Sequence, residues 1–550
     1  MKKKLNVSIK RHILLPVIAS GLFLTTASFQ NDFFEIAKQI EIFTEMYKQI
    51  NMNYVDETNP ADLMDNAIEG MVGELDPYTV FWTEQEVEKS KINQRGAYTG
   101  IGAVVSTRKD KVIIVEPWKD QPADKAGLKA GDEIISIDGV NLADYKENAG
   151  DLLKGSADSK LEVVYKRNGK QNSATLIRKG VKVKAVPFYD MVTPDIGYIV
   201  LSKFNKKASS ETKTALSELK DRGAKKVILD LRGNPGGLLS EAVNVSNIFI
   251  EKEKLITSTK SAIEKYNRTY LTKRNAYDGE IPVAVLINGR SASASEIVSG
   301  SIQDYDRGVV IGSRSFGKGL VQRPKPLSYG TQVKITISRY YTPSGRCIQA
   351  LDYWNRDEDG NAVRTDEKDY KAFKTVNSGR TVYDGGGVQP DIELASAAYS
   401  PITTALLKQN AIFDYATDYY YNKPAIANKD SFQFTDANFM EFVNWVEKQG
   451  FDFETETEKA FSKAYKKAVV EELDDDISTS YNAMKKAINQ AKKQEIIDKK
   501  AEVMSLLSDE IIKRYFYRDG LYEYQLQNNE VIREAVDVLN DEKRYTKILK

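Results

Sequence analysis

The sequence predicts a multidomain α/β protein in which an α/β core follows a small β-rich module and helical regions lie at both ends. The chain has 550 residues, which is too long for one ordinary domain. Strand-like and helix-like segments alternate over residues 181–400, as is typical of a largely parallel or mixed sheet covered by helices. Short β-rich runs separated by turns fill residues 93–180, whereas apolar residues recur at helical spacing in residues 31–92 and 401–550.

The composition restricts the chemistry that this chain can perform. The formal net charge is +1, so neither nucleic acid nor an anionic membrane is the expected partner. Cys347 is the only cysteine, which excludes an intrachain disulfide. His12 is the only histidine, so removal of the N-terminal segment would leave a chain without any. Acid–base catalysis near neutral pH must then use a carboxylate, a lysine, a tyrosine or the cysteine, which excludes Ser-His-Asp, Cys-His and histidine-ligated zinc mechanisms.

The N-terminal residues have the pattern of an export signal. A basic stretch ending at His12 precedes the apolar run ILLPVIASGLFLTTASF, which has small residues near its end. Pro16 interrupts this run, which disfavours a stable membrane-spanning helix. We therefore predict a signal peptide over residues 1–28, cleaved after Ala27 or Ser28, and an exported, periplasmic protein. An uncleaved signal that tethers the chain to the inner membrane is the alternative.

Residues 93–180 have a characteristic order of elements. The sequence predicts a β-hairpin, a short helix beginning at Pro122, an amphipathic helix over residues 142–155 and a closing strand. This order, and the stretch AGLKAGDEIISIDG in particular, resembles a PDZ domain inserted ahead of the α/β core. The resemblance places the carboxylate-binding loop at Tyr98, Thr99, Gly100, Ile101 and Gly102. Successive loop N–H groups can hold a peptide C-terminal carboxylate while the next strand pairs with the peptide, so we expect peptide binding. A β module that only packs against its neighbours is the alternative.

The central stretch, residues 281–322, combines an apolar strand, a serine-rich turn, a helix, a second strand and a lysine between two glycines. The helix begins near Ser293, where unpaired N–H groups and the helix dipole favour a nucleophile and an oxyanion. These arguments do not distinguish between Ser291, Ser293 and Ser295. For Ser291 and Ser295 the alternative is that their hydroxyl groups cap the helix and support the turn. For Glu296 we expect a first-turn carboxylate favoured by the helix dipole, not a catalytic acid.

Three kinds of chemistry compete for this stretch. A phosphate-binding loop over residues 312–319 would match GxxxxGK, but Gly319 replaces the Ser or Thr that holds magnesium. A penicillin-binding type of serine enzyme would use Ser-x-x-Lys, which occurs at residues 106–109 and 210–213, but its partner Lys-Thr-Gly motif is missing. A Ser/Lys hydrolase would use Lys318 as the base. We favour this third alternative because, without a histidine, a lysine must accept the serine proton.

Lys318 can act as a base only if burial lowers its pKa. Its neighbours Phe316, Leu320 and Val321 are apolar and predict a desolvated setting, while Gly317 and Gly319 allow close backbone approach. A surface lysine in a glycine turn is the alternative.

Two motifs, SASASEI and FGKGLVQ, with a QD pair between them, lie in the central stretch. With LDPYTVF, LDLRGNPGG, YYTPSGR and GGGVQPDI they give residues 35–400 a resemblance to the C-terminal processing (tail-specific) serine peptidase family. The resemblance implies that Ser293 is the nucleophile, that Lys318 is its base and that Gln322 orients the lysine.

The same resemblance implies an oxyanion hole formed by the N–H of Ala294 and a glycine N–H at Gly236 or Gly237. It implies no metal and no cofactor. One departure from the pattern is Cys347, which follows YYTPSGR where a serine or a similar small residue is expected.

The function predicted from the sequence is that of an exported serine endopeptidase. It would recognise protein C-termini through its PDZ domain and hydrolyse peptide bonds with a Ser-Lys dyad. Its partners would be protein or peptide substrates bound by their C-termini, and its helical arms leave room for a homodimer or an adaptor protein; no nucleic acid is expected. The alternative is a non-catalytic PDZ scaffold that binds peptide C-termini.

Overall fold

Helices and strands are described for residues 33–108, 111–145, 149–357, 360–394, 399–423, 425–426 and 428–550 of this computed structural model. The predicted signal peptide at residues 1–28 lies outside these ranges. The chain divides into two compact units, Met1–Phe81 and Trp82–Lys550. Within the described ranges, none of the helices combines the length and the apolar character that crossing a membrane would require.

The first unit is built from two helices. Helix α1 covers residues 33–53 and helix α2 covers Pro60–Gly73. The side chain of Asn59 accepts a hydrogen bond from the N–H of Ala61, and Pro60 occupies the first helical position, as is usual at a helix start. The hydroxyl of Tyr47 donates to the carbonyl of Pro60 at 2.8 Å and joins the two helices. Strand β1, Val80–Trp82, spans the boundary between the units.

The β-rich module contains a six-stranded sheet and a separate two-stranded sheet. Helix α3, Glu84–Arg95, leads into it. Its elements are β2 Ala97–Gly100, β3 Ala103–Arg108, β4 Lys111–Pro117, α4 Pro122–Lys125, β5 Glu133–Ile137, β6 Val140–Asn141, β7 Lys160–Arg167, β8 Lys170–Ile177 and β9 Lys179–Lys182. The order of its main sheet is β3-β4-β5-β7-β8, and β2 pairs with β9. Strand β3 is therefore an edge strand, as β-strand addition by a peptide would require.

The amphipathic helix predicted within this module is not present in the residues that the structure describes there. The helix expected over residues 142–155 is reduced to a single 3₁₀ turn at Ala149–Asp151. Gly150 and Gly155 disfavour a helix here, and the side chain of Asn141 accepts a hydrogen bond from the N–H of Ala143, which favours a turn.

The α/β core follows the module and alternates strands with helices, as predicted. Its elements are β10 Phe188–Thr193, β11 Ile196–Val200, α5 Ala208–Asp221, β12 Lys226–Asp230, α6 Leu239–Phe249, β13 Leu255–Lys260, β14 Arg268–Leu271, β15 Val283–Ile287, α7 Ala294–Asp304, β16 Val309–Gly312, β17 Leu320–Pro326, β18 Gln332–Tyr341, β19 Leu351–Arg356, β20 Ala362–Arg364, β21 Ala372–Lys374, β22 Thr381–Tyr383 and β23 Ile392–Glu393. The central sheet has the order β10-β11-β12-β15-β16-β23, and all its pairs are parallel except β10 with β11. Strands β13, β14, β17 and β18 form a second, antiparallel sheet.

The C-terminal region is helical, as predicted. Its helices are α8 Pro401–Lys408, α9 Ala411–Asn422, α10 Asp436–Lys448, α11 Glu456–Val470, α12 Asp474–Asp498, α13 Lys500–Asn528, α14 Glu530–Asn540 and α15 Glu542–Ile548. Helices α8, α9, α10, α12 and α13 share an apolar cluster that includes Leu406, Phe442 and Leu507. Helix α14 instead packs on the central sheet, against which Ile532, Ala535 and Val538 are buried.

The central sheet is covered on both faces, and alternate residues of each strand point to opposite sides. On β12, Val227 and Leu229 face a core shared with α5, α6 and α7, whereas Ile228 faces α14. Because β12 and β15 are parallel neighbours, the loops after Asp230 and after Ile287 meet at the same edge of the sheet.

Candidate active site

The three serines before α7 have different surroundings. The hydroxyl groups of Ser291 and Ser295 are buried and donate to the carbonyls of Leu231 and Asn234, at 2.8 and 2.9 Å. These two serines thereby tie the segment to the neighbouring loop. Ser293 lies between them and is only partly buried, so among these three serines it is the one that is partly exposed.

Ser293 has an unusual backbone conformation. Its φ is 56° and its ψ is −110°, in a region that residues other than glycine rarely adopt. The carbonyl of Ser293 accepts hydrogen bonds from the N–H groups of Glu296 and Ile297, both at 2.9 Å, and from the hydroxyl of Tyr340 at 3.2 Å. Such strain persists only where the surroundings fix it, and it is concentrated at functional sites.

The loop after β12 approaches Ser293 closely at Gly236. A Cβ atom added to Gly236 would lie 2.9 Å from the nitrogen of Ala294 and 3.0 Å from Cβ of Ser293, so only glycine fits there. The N–H of Gly236 donates to Oδ1 of Asn234 at 2.9 Å and is thus occupied. No acceptor in the described part of the chain contacts the N–H of Gly237 or of Ala294. Of the two glycines named from the sequence, Gly237 is therefore the one with an open N–H group.

Lys318 lies in the loop that joins β16 to β17 and is partly buried. The glycines beside it allow this loop to pack tightly, since a Cβ atom on Gly317 would lie 2.3 Å from Cβ of Ala350. The predicted apolar surroundings are only partly present: Leu320 is buried and Val321 is half-buried, whereas Phe316 is 40% exposed.

Glu296 connects the serine turn to the lysine loop. One carboxylate oxygen, Oε2, accepts hydrogen bonds from the backbone N–H groups of Ser293 at 2.6 Å and of Lys318 at 3.0 Å. The other oxygen, Oε1, accepts from the hydroxyl of Ser315 at 2.6 Å and from the N–H of Gly317 at 2.7 Å. Glu296 is completely buried, and this burial raises its pKa to about 7 although the four hydrogen bonds favour the charged form.

This arrangement makes the backbones of Ser293 and Lys318 neighbours, because their nitrogens contact the same atom. The N–H of Phe316 also donates to the carbonyl of Ser291 at 3.0 Å, which adds a direct link between the two segments. The sequence predicts a first-turn carboxylate at Glu296. Its position in that turn is as predicted, but its bonds to the lysine loop were missed.

Gln322 lies on β17, at a register shift in the pairing of β17 with β18. Its Nε2 donates to Oγ1 of Thr336 at 3.2 Å, so the side chain is held across the two strands. The residue predicted to orient Lys318 is thus on the strand that the lysine loop leads into.

Asp230 and Arg232 shape the base of the loop that contains Gly236. Asp230 is buried, accepts from the hydroxyl of Tyr198 at 2.6 Å and pairs with Arg232 through Nε and Nη2. Nη1 of Arg232 donates to Asn529 at 2.8 Å, just beyond the end of α13. The motif LDLRGNPGG was recognised in the sequence, but the link from its arginine to the C-terminal helices was not.

The predicted carboxylate-binding loop joins β2 to the edge strand β3. Residues Tyr98, Thr99 and Gly100 pair with β9. The carbonyls of Ile101 and Gly102 accept hydrogen bonds from Ala123 at 2.8 Å and Trp118 at 2.9 Å, which fixes the loop. Burial raises the pKa of the Tyr98 hydroxyl, and a hydrogen bond with the backbone of Gly102 opposes that shift. The loop leads into a strand that ends the order of its sheet.

No group of three or more His, Cys, Asp or Glu side chains suited to hold a metal ion occurs among the residues that the structure describes. Cys347, the residue that departs from the family pattern, is partly buried, and burial raises the pKa of its thiol.

Comparison with protein-family models divides the chain into four matched segments. Residues 24–86 match the activating protease CtpB N-terminal domain, residues 99–177 the PDZ domain, residues 195–353 peptidase family S41 and residues 402–539 the probable PDZ-protease C-terminal helical domain.

Proteins with similar sequences are named carboxy-terminal processing proteases. The carboxy-terminal-processing protease of Bartonella bacilliformis is 35% identical over 342 residues, which cover 61% of this chain and 77% of that protein. The carboxy-terminal processing protease CtpA of Bacillus subtilis is 30% identical over 376 residues, covering 67% of this chain and 77% of that protein. The solved structure of a photosystem II D1 C-terminal processing protease is 26% identical, with 64% of this chain and 86% of that chain covered and a TM-score of 0.37.

These matches confirm the family resemblance and the fold class predicted from the sequence, an α/β protease core with an inserted PDZ domain and helical terminal regions. The chain belongs to the carboxy-terminal processing protease family of serine peptidases, peptidase family S41, and contains a PDZ domain.

Proposed function

We propose that this protein is an exported serine endopeptidase in which Ser293 and Lys318 form a catalytic dyad. The observation that carries the proposal is the single oxygen of Glu296 that accepts hydrogen bonds from the backbones of both residues. The different surroundings of the three serines support the choice of Ser293, since Ser291 and Ser295 are buried and bound to carbonyls.

The proposed reaction is acyl transfer to a serine followed by hydrolysis. Neutral Lys318 removes the hydroxyl proton of Ser293, whose oxygen attacks the carbonyl carbon of the peptide bond. The N–H groups of Ala294 and Gly237 stabilise the tetrahedral oxyanion, an effect of about 3 to 4 kcal/mol for each donor. Protonated Lys318 then gives its proton to the leaving amine. Lys318 next takes a proton from water, whose oxygen attacks the acyl carbon. The bond between that carbon and the Ser293 oxygen then breaks, Lys318 returns the proton to the serine oxygen, and the new C-terminus is released.

The proposed role of Gln322 is to orient Lys318. Gln322 lies on β17, which begins two residues after the lysine, and its side chain is held by Thr336 of the neighbouring strand β18. In this proposal the fixed amide would limit the rotamers of the lysine side chain and so keep its amine within reach of the serine.

The PDZ domain would capture the substrate by its C-terminus. The loop from Tyr98 to Gly102 would hold the terminal carboxylate through backbone N–H groups, and the substrate would extend the sheet along the open side of β3. Replacing the substrate's terminal carboxylate by an amide removes the charge that these groups bind. Amidation should therefore slow cleavage, and unchanged cleavage would contradict this role of the PDZ domain.

The decisive experiment compares the purified protein with its Ser293→Ala, Lys318→Ala and Ser295→Ala variants on an unfolded protein substrate. We expect the first two variants to lose activity at least about a thousandfold. Ser295→Ala loses the hydrogen bond to Asn234 but no reacting group, so its loss of activity should be far smaller. Equal cleavage by the parent and the first two variants would contradict the dyad. Peptide binding without cleavage by the parent would favour the non-catalytic scaffold.

Export and assembly are further parts of the proposal. The N-terminal signal pattern supports secretion to the periplasm, which N-terminal sequencing of the protein from a periplasmic fraction would test. Apolar side chains of α1, including Phe33, Phe34, Ile36 and Ile40, are exposed. They support a homodimer or an adaptor contact, which light scattering with and without deletion of residues 33–53 would test.

A further inference from the structure

Helix α13 has a kink at a strained residue. Tyr517 lies inside this helix but has φ 60° and ψ −169°, far from helical values and rare for a residue with a side chain. A conformation of this kind persists only where contacts from outside the helix fix it.

The contacts that hold the kink come from the PDZ domain. The hydroxyl of Tyr517 donates to Oδ1 of Asp124 at 2.6 Å. The next residue, Arg518, pairs with both carboxylate oxygens of Glu116. Two adjacent residues of α13 are thus bound to two elements of the PDZ domain, α4 and β4.

These two elements directly support the predicted carboxylate-binding loop. On α4, the N–H of Ala123 donates to the carbonyl of Ile101 at 2.8 Å. The side chain of Gln121 packs so tightly under Gly102 that an added Cβ atom would lie 2.3 Å from its Cβ. On β4, Glu116 pairs with Val104 of the edge strand β3. A change at the loop therefore reaches the partners of Tyr517 and Arg518 through one layer of contacts.

The other end of α13 contacts the loop that carries Gly237. Asn529, the residue after the helix, accepts the hydrogen bond from Arg232. Within the helix, the ring of Tyr522 stacks on Phe188 of the central sheet at 5.2 Å. The segment of α13 after the kink is thus bound to the α/β core.

We propose that α13 couples occupancy of the PDZ peptide site to the loop over residues 230–237. The two states are the kinked helix held by Asp124 and Glu116 and a straighter helix in which Tyr517 has relaxed. A peptide that shifts Ile101 and Gly102 changes the free-energy difference between these states, and the end of the helix transmits the change to Arg232. This inference rests on the proposed function, because it assigns a regulatory connection between the same two sites.

The coupling is tested by hydrogen exchange in the full chain carrying Ser293→Ala, so that the probe is not cleaved. The probe is a short synthetic peptide with an apolar C-terminal residue and a free carboxylate. We expect saturating peptide to change amide exchange in residues 230–237 by at least about fivefold. Added Tyr517→Phe or Arg518→Ala should abolish this distant change while peptide still binds. Arg544→Ala, which removes the comparable exposed pair with Glu534, is the matched control and should leave the change intact.

A distant change that persists in both the Tyr517→Phe and Arg518→Ala chains would overturn the coupling, as would a parent chain that binds the peptide without any change in residues 230–237. A parent that does not bind the peptide would contradict the PDZ role and the coupling together. Because the readout does not use catalysis, a failure of the Ser293 and Lys318 dyad would be detected separately, by the cleavage experiment.

Activity provides a second readout in the chain that retains Ser293. The parent should cleave a free-acid substrate faster than its C-terminal amide. In Tyr517→Phe and Arg518→Ala the ratio of the two kcat/KM values should fall towards one. An unchanged ratio in both variants would mean that the contact is only structural.

Discussion

The backbone N–H groups of Ser293 and Lys318 donate to the same oxygen of Glu296. We predict that Glu296→Gln lowers kcat about a hundredfold with little change in KM. An amide has only one oxygen, so its NH₂ group must face the N–H and O–H donors that one carboxylate oxygen now accepts from, and the two segments can no longer be held together in the same way. Steady-state kinetics on a peptide substrate measure this. Glu211→Gln is the control, since Glu211 also accepts two backbone N–H groups, from Ala185 and Val186. A kcat of Glu296→Gln within twofold of the parent would contradict the prediction.

The titration of Glu296 predicts a pH dependence of stability. The pKa of Glu296 is about 7 in the folded protein and 4.5 for an unperturbed carboxyl group, so the folded state binds more protons between these values. The free energy of unfolding should therefore decrease as pH rises from 4.5 to 7, relative to Glu296→Gln, by up to about 3 kcal/mol. Urea unfolding of both proteins at several pH values measures the difference. A difference that increases with pH would show that the carboxylate is stabilised in its charged form.

Alanine substitutions at two glycines of one loop should have different effects, because one added side chain would clash with neighbouring atoms and the other would only strain the backbone. Gly236 and Gly233 both have positive φ, 99° and 71°. An added Cβ atom on Gly236 would lie 2.7 Å from the carbonyl oxygen of Ala292, whereas an added Cβ atom on Gly233 would have open space around it. We expect Gly236→Ala to lower kcat/KM about a hundredfold by displacing Ala294, and Gly233→Ala to cost only about 1 to 2 kcal/mol of stability. Steady-state kinetics and urea unfolding of both variants measure these effects. Equal kcat/KM values for Gly236→Ala and Gly233→Ala would contradict the prediction.

A third pair of variants tests the PDZ loop. Gly102 has φ 68° and packs against Gln121, so Gly102→Ala should distort the loop and weaken binding of a free-carboxylate peptide at least about tenfold. Gly169 has a comparable φ of 76° with open space around it and lies between β7 and β8, so Gly169→Ala is the matched control. Fluorescence anisotropy of a labelled peptide measures both affinities. Equal affinities for the two variants would argue against this loop as the carboxylate site.

Most of the fold was predictable because its determinants are local. The alternation of strands and helices predicted the α/β core, and parallel strand order placed the loops after Asp230 and Ile287 at one edge of the sheet. The helix expected over residues 142–155 was wrong because apolar spacing outweighed the two glycines in that prediction. The position of α14 was not predictable, since helical periodicity identifies an apolar face but not the surface that it covers.

The site was predictable to the extent that residue types and motifs define it. A serine at a helix start and a lysine between glycines could be named from the sequence, but Ser291, Ser293 and Ser295 became distinguishable only through their tertiary partners. The role of Glu296 depends on donors from a loop that lies after the next strand, and no local pattern encodes that contact. The same holds for the occupied N–H of Gly236.

Helix α7 is buried along its whole length, from Ala294 to Asp304. A helix without a solvent-facing side cannot fray independently, because opening it exposes the core that it shares with the sheet and with α6. Thermal inactivation of this protein should consequently follow the cooperative melting of the whole core. The serine turn at the start of this helix should therefore be lost on heating only together with the fold of the core.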